Sequence, residues 1–148
     1  MQVSKILIVD DDPEDREFFT IVIKQIDAAI EVKAASNRNE LFRHLAREVP
    51  HLLFIDSFIQ HESGHTSIAE IRANARFNNL PIIMYTGSAE KKNIAMAFES
   101  GATAYVVKPH SLAEIQSVLQ QIIHSDWTEA SSWHKQYYLD GKFRGFIN

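Results

Sequence analysis

Ile6-Leu7-Ile8-Val9 runs into Asp10-Asp11-Asp12, and three further apolar runs end in the same manner. Leu52-Leu53-Phe54-Ile55 ends on Asp56, Pro81-Ile82-Ile83-Met84-Tyr85 on Thr86, and Ala104-Tyr105-Val106-Val107 on Lys108-Pro109. Continuous apolar runs of this length, separated by helix-like stretches, read as buried strands of a parallel sheet. In such a sheet the ligand crevice lies outside the carboxyl ends of the strands. Carboxylates, one hydroxyl and one ammonium are therefore expected to meet at a single edge. That set suits magnesium and a phosphoryl group.

The stretches between the runs carry helical signals. Pro13 suits the first turn of a helix, where its missing N–H does no harm. Phe18, Phe19, Val22, Ile23 and Ile26 then recur at helical spacing. Asn37 followed by Glu40 has the form of a capping box, and Pro50 closes the helix that follows. Ile30–Ala34 alternates weakly as a second strand. Gly64 precedes a helix with Ile68 and Ile71 facing inward, and Gly101 ends the helix of Ile94, Met96, Ala97 and Phe98. Leu112, Ile115, Val118, Leu119, Ile122 and Ile123 form an amphipathic helix. The order is βα repeated five times, for which a doubly wound, five-stranded parallel α/β sheet is the natural solution.

Composition limits the alternatives. A chain of 148 residues suits one domain with a single core. The net charge of −4 carries no general nucleic-acid signature. The absence of cysteine excludes disulfides, thiolate metal sites and cysteine nucleophiles. No apolar stretch approaches the roughly 18 residues of a membrane span. A soluble cytoplasmic protein, with no membrane and no direct nucleic-acid partner, is the expectation. Residues 1–124 hold the five units. Residues 125–148 are a separate extension with six aromatics, Trp127, Trp133, Tyr137, Tyr138, Phe143 and Phe146.

Asp10, Asp11 and Asp56 would crowd negative charge. Two such charges about 4 Å apart repel by roughly 4 kcal/mol at an effective dielectric near 20. An apolar-backed site holds them only with a cation, and oxygen donors without thiolate favour Mg2+. Asp56, alone at the end of a central strand, is the best nucleophile for covalent phosphoryl chemistry.

Along residues 5–124 the chain resembles the receiver domain of two-component response regulators, in particular the chemotaxis type. An acidic pair ends the first strand, Asp the third, Thr the fourth, and Lys-Pro follows the fifth. Gly64 falls eight residues after Asp56, as in the family's loop. The resemblance implies a phosphoryl group passed to Asp56 from a sensor histidine kinase or phosphotransfer protein. It implies Mg2+ held by Asp11, Asp56 and the backbone carbonyl of Phe58, with Asp10 acting through water. Thr86 and Lys108 would engage the phosphoryl oxygens, and Tyr105 would be the aromatic switch. Phe58, Gly87 and Ser88 sit at tuning positions, and a bulky Phe58 implies a long-lived acyl phosphate. The Lys108–Pro109 peptide would be cis. Ile59 and Gln60 stand where the family often has Met-Pro, which leaves the rigidity of that loop open.

Two motifs compete with this reading. His61-Glu62-Ser63-Gly64-His65 has the spacing of a zinc-protease helix, but Gly64 interrupts it and no third ligand follows. A haloacid-dehalogenase-like phosphatase would use Asp10 and Asp12, yet Glu14 stands where it needs Thr or Val, and Asp56 would be idle.

The extension is too short for a helix-turn-helix domain. It reads equally as a cover over the domain's own face or as a homodimer or partner interface, because Trp and Tyr are favoured in interfaces. The family's signalling face would carry Lys91, Lys92, Tyr105 and His110 toward a downstream protein. A stand-alone receiver is the resulting expectation.

Overall fold

A computed structural model describes residues 2–128 and 135–145. Its elements are β1 (Lys5–Val9), α1 (Pro13–Ile26), β2 (Glu31–Ala35), α2 (Arg38–Arg47) and β3 (Leu52–Ile55). A small hairpin follows, β4 (Phe58–Ile59) and β5 (Glu62–Ser63), then α3 (Gly64–Arg72). β6 (Ile82–Thr86), α4 (Lys91–Ser100), β7 (Ala104–Val107) and α5 (Leu112–Ile123) complete the repeat. Two further strands, β8 (Gln136–Leu139) and β9 (Lys142–Gly145), come from the extension.

The main sheet has the order β2-β1-β3-β6-β7-β8-β9. The five expected strands are all parallel, and every residue of β3 and β6 is buried. Side chains alternate between two apolar layers, as the two-residue period of a strand requires. Ile6, Ile8, Phe54, Tyr85 and Val106 meet α1 and α5 on one face. Leu7, Val9, Leu53, Ile55, Met84 and Tyr105 meet α2, α3 and α4 on the other. Phe18 and Leu112 do not join these layers as their spacing suggests: they are 41% and 52% exposed. Their neighbours Phe19 and Ile115 take the inward places.

The helix starts follow local chemistry. Asp12 caps α1 by accepting from the Glu14 N–H, and Ser111 caps α5 through Glu114. Asn37 accepts from the Glu40 N–H at 2.8 Å, as expected, but the Glu40 carboxylate accepts from the Ser36 N–H and the Asn37 side-chain amide instead of the backbone N–H of the cap.

The sheet continues two strands beyond the expected five. β8 adds in parallel to the outer edge of β7, pairing Tyr105 with Tyr137 and Val106 with Tyr138, and β9 closes an antiparallel hairpin on it. Tyr138 and Phe143 pack on the α1–α5 face with ring centroids 5.1 Å apart, and Tyr137 packs on the other face. Trp127 donates its indole N–H to the Ile122 carbonyl at 2.8 Å. The described aromatics of the extension therefore cover their own domain. Trp133 and Phe146 lie outside the described residues.

The steps from β2 to β3, β3 to β6 and β6 to β7 advance across the sheet with α2, α3 and α4 on one face. The step from β7 to β8 advances the same way, but α5 lies on the opposite face with α1. Its hand therefore differs from that of the three before it, in a fold class where about 98% of crossovers share one hand. Alternation alone gives no sign of this, because α5 is committed to α1 before the chain reaches β8.

Candidate functional site

The carboxyl ends of β1, β3, β6 and β7 deliver the four expected groups to one place. Lys108 Nζ lies 2.7 Å from Asp10 Oδ2 and 2.9 Å from Asp56 Oδ2. A third carboxylate, Asp15 in the first turn of α1, meets the same ammonium at 2.9 Å. Asp10 is 2% exposed, and this burial pushes its carboxyl above the usual range against the pull of Lys108. Burial alone would lower the Lys108 pKa. The field of Asp56 and the hydrogen bonds to Asp10, Asp15 and Asp56 outweigh it and raise the value. The lysine also lies 5.6 Å over the ring of Tyr85. Tyr85 in turn packs edge-on against Phe19 and Phe54, so the charged site rests on an aromatic floor.

The three successive aspartates divide their work. Asp10 accepts from the Asp12 N–H through Oδ1 and from Lys108 through Oδ2. Asp12 caps α1. Asp11 turns toward the β4–β5 hairpin and accepts from the Gln60 N–H at 2.9 Å. That hairpin has a two-residue turn with Gln60 at φ 47° and His61 at φ 68°. Such turns favour Asn and Gly, so the Asp11 bond helps hold a conformation that these residues resist. The loop that lacks Met-Pro is ordered in this way instead. Phe58 is 56% exposed, with the His61 ring edge-on at 6.1 Å.

Gly64 has a steric reason. A Cβ there would stand 2.1 Å from the Asp56 carbonyl oxygen, while its N–H donates to the Ser57 carbonyl at 2.8 Å. The start of α3 is thus pressed against the backbone of the candidate nucleophile.

Thr86 is 3% exposed, and its hydroxyl is 2.7 Å from Ser57 Oγ. Tyr105 is fully buried and donates its hydroxyl to the Ser88 carbonyl at 2.8 Å. Burial pushes its phenol up to about 12. The expected signalling face is changed accordingly: Lys91, Lys92 and His110 are exposed, but Tyr105 lies beneath α4 with β8 along its strand edge. Gly87 is exposed beside the site.

One expectation is corrected outright. No cis peptide bond occurs among the described residues, so Lys108–Pro109 is trans. The Lys108 N–H still bonds the Thr86 carbonyl at 2.7 Å, continuing the ladder of β7. The trans form is the lower isomer of an X-Pro bond by about 0.5–1 kcal/mol. Ser57 and Asp15 are not among the site residues expected from the sequence. Asp15 was findable, since it lies on the first turn of a helix that begins at the acidic strand end. Ser57 gave no signal.

The donor set suits a hard divalent ion. Three carboxylates share one ammonium, which leaves two negative charges, and every further donor at hand is an oxygen. Among the described residues, however, no three acidic or imidazole groups form a ready cage. Lys108 stands between Asp10 and Asp56, and Asp11 is engaged by Gln60. His61 and His65 do not make a zinc site either. His61 is in the hairpin turn, and His65, in the first turn of α3, pairs with Ser63 Oγ.

The model of the response regulator receiver domain matches residues 6–120. Transcriptional regulatory protein GltR of Pseudomonas aeruginosa is 28% identical over 152 residues, covering 93% of this chain and 62% of its own length. The chain thus spans less than two thirds of that relative. A putative response regulator from Chloroflexus aurantiacus J-10-fl superposes with a TM-score of 0.72 at 27% identity, covering 84% of this chain and all of its own. The Mn(2+)-bound form of response regulator Rcp1 superposes with a TM-score of 0.71 at 21% identity, over 88% of this chain and 98% of that one, a likeness of fold. Nothing in these matches supports the phosphatase alternative.

Proposed function

The chain belongs to the response regulator receiver domain family, and on that premise we propose that Asp56 is its phosphoacceptor. Receivers of this family are signalling domains of two-component systems that work with histidine kinases and downstream proteins. The reading is carried by one observation: Lys108 Nζ bridges Asp56 and Asp10 at the carboxyl edge of the sheet. In the proposed transfer, an Asp56 carboxylate oxygen forms the new P–O bond. The P–N bond to a kinase or phosphotransfer-protein histidine breaks, and its electron pair returns to the imidazole.

Lys108 is placed to follow the charge from carboxylate to phosphoryl oxygen without leaving the site. Thr86 can donate one hydrogen bond to the incoming group. Tyr105 and Ser88 follow Thr86 as the switch. Asp11, Asp56 and the Phe58 carbonyl, with Asp10 behind them, are the residues that would hold Mg2+. When bound, that ion would neutralise charge on the transferring group. Most of the rate advantage in this chemistry comes from positioning and charge neutralisation. The domain catalyses only its own phosphorylation and dephosphorylation, in the cytoplasm where a phosphohistidine donor is supplied. Its signal passes through protein contacts.

Exposed Phe58, braced by His61, lies beside the acceptor and would screen the acyl phosphate from water. A Phe58→Ala protein should lose its phosphate faster, and an unchanged lifetime would refute that role. A homodimer through the extension is the weaker reading, because Tyr138 and Phe143 are already spent on their own sheet. Sedimentation before and after phosphorylation checks it. The central test is labelling from a phosphohistidine donor: wild type should take up one phosphoryl group and Asp56→Asn none. Uptake by Asp56→Asn at the full rate would sink the assignment.

A further inference from the structure

Ser57 joins the candidate phosphoacceptor to the switch residues. It follows Asp56 directly, and its Oγ stands 2.7 Å from Thr86 Oγ1 and 3.4 Å from Asp56 Oδ1. The direction of the protons follows from the groups themselves. A carboxylate oxygen accepts, so both contacts are satisfied together when the single Ser57 proton points to Asp56. Ser57 then has lone pairs but no second proton, which makes Thr86 the donor in the 2.7 Å contact. Thr86 Oγ1 accepts in turn from the Ser88 N–H at 3.4 Å, and the Ser88 carbonyl accepts from the Tyr105 hydroxyl at 2.8 Å. Asn93 of α4 donates to Ser88 Oγ at 2.7 Å. A continuous path thus runs from Asp56 through Ser57, Thr86 and Ser88 to Tyr105, with α4 tied in at Ser88.

This path sets up a competition. Thr86 has one hydroxyl proton, and while Ser57 receives it no phosphoryl oxygen can. Phosphorylation of Asp56 changes both sides of the balance. The carboxylate loses its charge and with it much of its hold on the Ser57 proton. The phosphoryl group brings anionic acceptors, which make shorter and stronger bonds than a neutral hydroxyl. We propose that Ser57 is a positioning residue that retains Thr86 in the unphosphorylated arrangement, and so sets how strongly a phosphoryl group must pull before the switch moves. The inference rests on the assignment of Asp56 and Thr86 above and assigns the residue between them a role in the threshold.

Beryllofluoride with Mg2+, titrated against the full chain, measures this directly as the affinity for a phosphoryl mimic on Asp56. Ser57→Ala removes the competing acceptor and should tighten binding about two- to tenfold, the range for a net neutral hydrogen bond. Ser57→Thr keeps the hydroxyl and should bind as wild type does. In a Thr86→Ala background, Ser57→Ala should have no further effect. Ser57 acting through packing alone would give the same change in both backgrounds, and that result overturns the proposal. Unchanged or weaker binding by Ser57→Ala, with Thr86→Ala clearly weakened, also overturns it while leaving the Asp56–Thr86 reading intact. Wild-type binding by Thr86→Ala would instead remove the premise. Thermal melts without the mimic check that each variant is folded.

Discussion

Replacing Lys108 by Met keeps most of the apolar stem and removes the ammonium, with its charge and its hydrogen bonds to Asp10, Asp15 and Asp56. Lys108 Nζ lies 2.7 Å from Asp10 and 2.9 Å from Asp56, and its side chain is 18% exposed against 3% and 15% for theirs. At an effective dielectric near 20, each attraction is worth about 6 kcal/mol before desolvation is counted. Asp15 is 46% exposed and adds little. Removing one partner of a buried pair, net of desolvation, typically costs about 3–5 kcal/mol. Water reaches this site from one side, so a loss of about 3 kcal/mol at pH 7 is expected. In urea, with a slope of about 2 kcal/mol/M, the midpoint should fall by roughly 1.5 M with the slope unchanged. Mg2+ should restore more stability to the variant than to wild type, because the variant leaves three carboxylates unneutralised. A loss under about 1 kcal/mol, or equal gains from Mg2+ in both proteins, would show that Lys108 does not hold the acidic cluster together.

Gly64→Ala should cost about 1–3 kcal/mol or more by overpacking, since its Cβ would meet the Asp56 carbonyl at 2.1 Å. It should also slow phosphoryl uptake, and a variant with wild-type melting and uptake would refute the contact. Burial raises the Tyr85 and Tyr105 phenols to about 12, from 10.0. Because the folded state holds these protons more tightly, the stability is fully present below pH 10 and is lost between pH 10 and 12. The loss amounts to about 2–3 kcal/mol per tyrosine. Phenolate absorbance of these two rings that develops at ordinary tyrosine pH in the folded protein would contradict their burial. Tyr138→Ala should destabilise by about 3 kcal/mol if β8 belongs to the core, and unchanged denaturant melting would place the hairpin outside it. Gln60→Asn with His61→Gly should stabilise the β4–β5 turn by about 1 kcal/mol, since both positions have positive φ. No gain in thermal stability would show that the Asp11 bond already removes the strain.

Continuous apolar runs identified β1, β3, β6 and β7 because strands buried on both faces leave no room for polar residues. The last residue of each run then fell at the sheet edge by geometry alone, so Asp10, Asp56, Thr86 and Lys108 were legible before any coordinates. β8 and β9 were not, because Gln136–Leu139 and Lys142–Gly145 lie at the sheet margin, where polar and aromatic residues mix. Their docking against β7 depends on an edge that exists only once the five-stranded unit has formed. The isomer of the Lys108–Pro109 bond was likewise beyond a pattern, since it turns on the path of one ladder.

Alternation and strand ends thus determined the sheet, its core and the chemistry of its edge, because each depends on neighbours close in sequence. Only the tertiary structure decided which partners those groups meet. Lys108 finds Asp15 as well as Asp10 and Asp56, Asp11 turns to Gln60, and Ser57 reaches Thr86 across 29 positions of chain. These pairings come from strands and loops brought side by side by the packing of two helical layers, and no local pattern encodes which hydroxyl will face which.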